Sequence, residues 1–243
     1  MLRRFQRSLR PNAPWMPPVC GISSISVTLP PRVRGSRRVS MATKGHNSSI
    51  VVDPNDGAAK DLESSIEHAA YLTLCADPKV KGIQCQAPPI DYVDQDGEVH
   101  EHTFDFLVTY CDGYRDAVMV KHADKVRRAD LETFATQLAE QLPDGFADDV
   151  LLITNEDLPE WLLSNARLVR SARLDQPSSL DREIADRAAD LFTPVTIEEL
   201  CRPFAPLGFR SVARLLYSGH LRQLEPGLIE PHTVVVAVAP LSN

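Results

Sequence analysis

The sequence predicts an α/β protein, in which a mixed sheet flanked by helices is followed by a small C-terminal unit of short helices and a hairpin. Three observations carry this expectation. Between residues 82 and 121 apolar and β-branched residues alternate in short runs bounded by Asp-Gly turns, the period of half-buried strands. The run "DVLLIT" (Asp149–Thr154) is short, continuous and apolar between two stretches of helical periodicity, as buried strands are. After Arg173 the pattern changes to short amphipathic segments and then two β-rich runs.

Taken in order, residues 1–40 hold eight Arg, six Pro and no acid, which leaves 18 Lys and Arg against all 33 Asp and Glu in the rest of the 243-residue chain. A segment so basic and Pro-rich buries too little apolar surface to offset its ordering entropy, and disorder is expected through residue 60. It reads as an organelle transit peptide, as a basic arm for nucleic acid, or as an upstream extension of a chain that starts at Met41; the last is favoured, because "ATKGHNSSIVVDP" resembles a flexible bacterial N-terminus.

From Asp61 to Cys75, Leu62, Ile66, Ala69, Ala70 and Leu74 recur at helical spacing, and Asp77-Pro78 ends the helix. Ile83, Cys85, Ala87, Ile90 and Tyr92 then alternate around Pro88-Pro89, giving two short strands or one bent strand, with a turn at Gln95-Asp96-Gly97. His102–Tyr110 and Tyr114–Lys121 form a hairpin through Cys111-Asp112-Gly113. Asp124 is the expected N-cap of a helix running to about Leu142, with Leu131, Phe134, Ala135, Leu138 and Leu142 on one face. Another helix covers Leu158–Arg170. Beyond a linker at 174–180, helices are expected at Glu183–Leu191, at Thr196–Arg202 with Thr196 and Glu199 as a capping box, and at Phe209–Ser218, before two β-rich runs around Pro226-Gly227. Three helices and a hairpin are the outline of a winged helix-turn-helix, which sets the expected units at 61–173 and 181–239.

Composition excludes several classes. With 43% hydrophobic and 24% charged residues, collagen-like, coiled-coil and disulfide-rich chains are out. The longest apolar runs, Val150–Thr154 and Val234–Ala239, fall far short of the roughly 18 residues a membrane helix requires, so no membrane partner is expected. Five scattered cysteines, Cys20, Cys75, Cys85, Cys111 and Cys201, suggest neither a disulfide framework nor a zinc site, and fit structural thiols in a reducing cytoplasm.

The stretch "HTFDFLVTYCDGYRDAVMVK" carries the chemistry. Asp105 lies sixteen residues before Lys121, and the hairpin can bring the two together. This strand pair resembles the core of the PD-(D/E)XK nucleases. The longer run "ESSIEHAAYLTLCADPKVKGIQCQAPPIDYVDQDGEVHEHTFDFLVTYCDG" is similar to the N-terminal domain of TnsA-like transposon endonucleases, as is "DVLLITNEDLPEWLLSNARLVR" further on. The resemblance covers residues 61–173 and implies a restriction-endonuclease-like fold, cleavage of double-stranded DNA with Mg²⁺ or Mn²⁺, and a transposase partner subunit. It assigns Glu67, with Glu63 as the alternative acid, and Asp105 to the metal, and Lys121 to the scissile phosphate.

Two positions depart from that pattern. Phe104 stands where the family has proline, and Met119 stands two residues before the lysine, where an acid is expected. A thioether is no ligand for Mg²⁺. Gln86 and Asp124 are the nearest substitutes the sequence offers. Without the resemblance, Glu67 reads as a solvated helix acid, Lys121 as a strand-end lysine, and His100-Glu101-His102 as an exposed turn flank. Expected DNA contacts are Lys121, Lys125, Arg127 and Arg128 beside the site, and Arg210 and Arg214 at i, i+4 on the last helix.

Overall fold

A computed structural model of the chain describes residues 30–31, 48–191 and 193–238. The expectations about the basic arm and a start at Met41 lie outside the described residues. From residue 48 onward the chain is ordered earlier than its composition suggests. Strands β1 (Ser49–Val52) and β2 (Ala59–Leu62) pair antiparallel, with Val51 and Leu62 buried. This hairpin corrects two expectations at once: disorder through residue 60, and a helix beginning at Asp61. Its turn is held by Asp53, which is buried and accepts hydrogen bonds from Tyr71 Oη at 2.7 Å and from the Asn55 N–H.

Helix α1 (Ser65–Cys75) starts at Ser64, whose Oγ accepts from the Glu67 N–H. Then come β3 (Val80–Cys85), the small hairpin of β4 (Ile90–Val93) and β5 (Val99–His102), and the expected hairpin of β6 (Phe106–Tyr110) and β7 (Arg115–Val120). The single helix expected from Asp124 is two, α2 (Ala123–Ala129) and α3 (Leu131–Ala139). They break at Asp130, which adopts a left-handed φ of 47°, and the N-cap is His122, not Asp124. β8 (Asp149–Ile153) and α4 (Glu160–Leu174) complete this unit.

The main sheet has the order β3-β6-β7-β8, antiparallel except where β8 runs parallel to β7. It is therefore mixed, with helices on both faces. Val118 and Val120 point into one core with Tyr71, Phe106 and Leu163, beneath α1 and α4. Ala117 and Met119 point into the other with Phe104, Ala135 and Leu138, beneath α3. The alternation along β7 thus divides the two layers as strand geometry requires.

The C-terminal unit comprises α5 (Ser179–Leu191), β9 (Val195–Thr196), α6 (Ile197–Cys201), α7 (Gly208–Tyr217), β10 (Leu221–Gln223) and β11 (Val234–Ala237). Its three strands pair in the order β10-β11-β9 over a core of Ile184, Ile197, Leu200, Val212, Leu215, Leu221 and Val235. The Thr196/Glu199 capping box is present. A Cβ at Gly208 would stand 2.9 Å from Cys201 Sγ, so glycine is what lets α7 close on α6. Only four residues, 175–178, separate α4 from α5.

The two units are tied together through α4. Asn165, buried, donates to Gly227 O and accepts from the Ile229 N–H, each at 2.8 Å. The Arg173 guanidinium lies 3.8 Å over the Tyr217 ring. Among the described residues no helix is long and apolar enough to cross a membrane.

Candidate functional site

Asp105 immediately precedes β6 and Lys121 immediately follows β7, so the hairpin register places both at one end of the sheet. Asp105 Oδ2 accepts from Lys121 Nζ at 2.9 Å and from the Val120 N–H at 2.7 Å. The backbone N–H of Lys121 donates to Ile153 O, which anchors the lysine to β8. The two side chains are 16% and 27% exposed, dry enough to strengthen their attraction and open enough to meet a ligand. A lysine ammonium has three donors, and Asp105 occupies one.

Glu67 comes from the first turn of α1. It is buried, its Oε1 accepts from Ser64 Oγ at 2.8 Å and its Oε2 from the Glu63 N–H at 2.9 Å. Burial raises its carboxyl pKa, and the negative charge of Asp105 raises it further, against the two hydrogen bonds that favour the ionised form. That coupling puts Glu67 in the same electrostatic neighbourhood as Asp105. The Ser64-x-x-Glu67 spacing is also that of a capping box, a signal legible in the sequence, except that the return bond reaches the N–H of Glu63 and not that of the N-cap. Glu63, the alternative acid, is part-buried ahead of the cap, where its own charge adds to the upward push on Glu67.

Asp105 and Glu67 offer carboxylate oxygens, the donors a hard divalent cation takes, and the Asp105 charge is felt at Glu67. Among the described residues no group of three or more His, Cys, Asp or Glu gathers around one point, so further oxygens would have to come from an amide, a backbone carbonyl or water. Met119 supplies none: it is 1% exposed and packed in the second core. Asp124 is exposed and paired with Arg127 at 2.7 Å. Asp116 accepts from Tyr110 Oη at 2.8 Å, toward the opposite end of β7.

The expectation that His100-Glu101-His102 is an exposed turn flank fails at His102, the last residue of β5. His100 and Glu101 are exposed as expected, but His102 is half-buried, its ring edge-on to Phe104 at 4.8 Å and to Phe134 at 5.4 Å. Its Nε2 is buried with no hydrogen-bond partner among the described residues. Burial and the Lys121 charge push its pKa down, against a smaller opposing effect of the Asp105 charge. Its place one residue before the Thr103-Phe104 lead-in to Asp105 was the available clue.

Of the expected DNA contacts, Lys125 and Arg128 are exposed on α2 beside Lys121. Arg127 is also exposed, but ion-paired with both Asp124 and Glu156. On α7 the guanidinium groups are engaged within the protein. Arg210 pairs with Asp175 at 2.8 Å and donates to Ser171 O. Arg214, 14% exposed, bonds Asp181 through two nitrogens and Ala172 O through a third, so it fastens α7 to α5 and to the end of α4.

No family model matches the chain, and no curated protein matches it in sequence.

Proposed function

We propose that the protein is a TnsA-like, metal-dependent DNA endonuclease, with a restriction-endonuclease-like nuclease unit and a winged-helix C-terminal unit. The observation that carries this reading is the meeting of Asp105 and Lys121 at 2.9 Å at the sheet end where the carboxyl of Glu67 senses the Asp105 charge. The sheet order β3-β6-β7-β8, with α1 bringing the glutamate, also supports it, as do three helices and a three-stranded sheet for the winged-helix assignment.

The reaction class is phosphodiester hydrolysis at transposon ends. Water adds its hydroxyl to phosphorus and its other proton to the leaving oxygen, as one P–O ester bond breaks. Bound Mg²⁺ or Mn²⁺ would supply Lewis acidity and lower the pKa of the attacking water. Glu67 and Asp105 would hold it. Lys121, with two donors beyond its bond to Asp105, would offset the negative charge that builds on the phosphoryl oxygens. Lys121, Lys125 and Arg128 would seat the duplex, since a chain of net charge −7 must attract DNA locally. A transposase cutting the other strand is the partner this reading requires.

A second reading, a non-catalytic DNA-binding or assembly subunit, is favoured by Met119, which leaves the site one hard ligand short. Incubation with supercoiled plasmid and Mg²⁺ or Mn²⁺ separates the two. Nicking by the wild type that is lost in Asp105→Ala supports the endonuclease. Plasmid binding without nicking under either cation transfers the conclusion to the second reading.

A further inference from the structure

The main sheet ends in β3 on one side and β8 on the other, and the sequence treats these two edges differently. β3 carries the devices that keep an edge from pairing: a register shift between Val80 and Gly82, and exposed Lys79 and Lys81 on either side of Val80. β8 carries neither. It pairs with β7 in unbroken register from Asp149 to Ile153, its last four residues are Val150, Leu151, Leu152 and Ile153, and no strand pairs beyond it among the described residues. Cores lie on both of its faces, yet these four side chains are only half-buried, whereas Ala117–Val120 of β7 alongside are buried. Their exposure is therefore that of an open edge, not of an uncovered face.

The backbone is turned the same way. The Lys121 N–H bonds Ile153 O, so Ile153 directs its peptide groups toward β7, and alternation directs those of Val150 and Leu152 outward. The Val150 N–H is met by the Asp149 carboxylate at 2.7 Å, which leaves the carbonyls of Val150 and Leu152 and the Leu152 N–H as the groups an added strand would bond.

Charge selects the occupant. Asp148 and Asp149 are exposed at the start of β8, where they accept from the backbone N–H groups of Arg115 and Val150, and Glu156 and Asp157 are exposed beyond its end. Two copies paired antiparallel through β8 would set the aspartates of each beside the acids of the other, and parallel pairing would set aspartate against aspartate. A strand with an apolar centre and a basic end has the matching charge.

We propose that the β8 edge is a docking site for a partner protein, which adds an extended segment with an apolar centre and Lys or Arg at the end meeting Asp148 and Asp149, lengthening the sheet by one strand. The added strand lies about 4.8 Å beyond β8. Because Ile153 O anchors Lys121, the partner sits near the Asp105–Lys121 pair. The inference goes beyond the nuclease reading and uses neither metal nor DNA.

Fluorescence anisotropy of the full chain with a labelled peptide, Lys-Arg-Val-Thr-Val-Thr-Val-Arg-Lys, tests it, beside an analogue with Asp and Glu at both ends and one N-methylated at alternate residues. The basic peptide is expected to bind at least about tenfold more tightly than the acidic analogue, and N-methylation to weaken it by as much, since it removes the ladder donors. Asp148→Lys combined with Asp149→Lys, at two exposed positions, should invert the preference between basic and acidic ends. Equal binding of the methylated peptide would show charge attraction without strand addition, and an absence of binding by any of the peptides would show an edge that accepts no strand; either result overturns the proposal. So does sedimentation of the chain as a dimer whose dissociation the double Lys variant changes, which would assign the edge to a second copy.

Discussion

Lys121 Nζ and the backbone N–H of Val120 converge on one oxygen of Asp105, at 2.9 and 2.7 Å. The carboxylate therefore does two things: it closes the end of the β6–β7 ladder and it fixes the ammonium in place. These can be separated. Asp105→Asn keeps an oxygen for the Val120 N–H and is expected to fold, while losing the charge that would hold a cation; Mn²⁺ binding should disappear. Lys121→Ala should leave Mn²⁺ binding near the wild-type level and reduce plasmid nicking by at least about 100-fold, the scale of a lost transition-state contact. Equal loss of Mn²⁺ binding in both variants would contradict this division of roles.

Glu67 makes the site sensitive to pH. Burial and the Asp105 charge raise its carboxyl above the ordinary 4.5, so the free protein retains a proton there at pH values just above that point. A cation competes with this proton. Mn²⁺ binding should therefore release protons, and its apparent affinity should climb as pH rises through the raised pKa and then level off. In the metal-free protein the sign for stability is the opposite: the contribution of Glu67 is fully present below pH 4.5 and is lost as pH rises through its folded-state pKa. Removing the neighbouring charge in Asp105→Asn should move the stability transition of the metal-free protein to lower pH. Calorimetry in buffers of different ionisation enthalpy reads the proton release.

Met119 illustrates how far the sequence could be followed. Its face was legible, because alternation on β7 sets Met119 with Ala117 and apart from Val118 and Val120. Its surroundings were not, since they depend on α3 lying across that face. With Met119 at 1% exposure beside Ala135 and Leu138, Met119→Glu is expected not to rebuild a metal site but to destabilise the fold by about 3 kcal/mol, the cost of an unpaired buried charge. Met119→Leu should cost under about 1.5 kcal/mol. Urea unfolding midpoints of the two variants give the comparison.

The same limit runs through the rest of the fold. The β6–β7 hairpin and β8 were readable because each has a period or an uninterrupted apolar run bounded by turn residues. The β1–β2 hairpin was not: four-residue strands contribute Val51, Ala59 and Leu62, too few to show a period, and the buried Asp53 makes sense only once Tyr71 is beside it. The break at Asp130 was hidden because apolar spacing continues across it from Val126 to Phe134. Asp105 and Lys121 could be paired from hairpin register alone, whereas the burial of Glu67 and the backbone twist at Gln86 depend on how α1 and β3 meet the sheet end.

Asn165 is a sensitive point for the joint between the two units. Its amide bonds both Gly227 and Ile229, more than sixty residues away, from a position 8% exposed. Asn165→Ala leaves the Ile229 N–H without its partner and Gly227 O with only the bond from Gln223 Nε2 at 3.1 Å, and should cost about 2 kcal/mol. Asn165→Asp can still accept from the Ile229 N–H but cannot donate to Gly227 O, so it should recover only part of that loss. Hydrogen exchange at Ile229 should accelerate in Asn165→Ala and stay slower in Asn165→Asp.

The Arg214–Asp181 pair predicts how the C-terminal unit responds to acid. Burial acts to raise the Asp181 carboxyl, but hydrogen bonds from Arg214 and Ser211 and the Arg214 charge outweigh it and hold the pKa at about 2. Because this is below the ordinary 3.8, the pair contributes stability at pH values above 3.8 that is lost as pH falls toward 2. Arg214→Ala should therefore destabilise by about 1–2 kcal/mol at neutral pH, after allowance for solvent screening of a pair near the surface. It should also flatten the dependence between pH 4 and 2, because a carboxyl without its partner has little shift left to lose. Arg210→Ala, whose ion pair with Asp175 is half-exposed, should change stability by less than about 0.5 kcal/mol. If Arg214 instead served chiefly to contact phosphate, Arg214→Ala would leave the acid unfolding curve unchanged and weaken DNA binding, a result that thermal melts across pH and plasmid binding at two salt concentrations would reveal together.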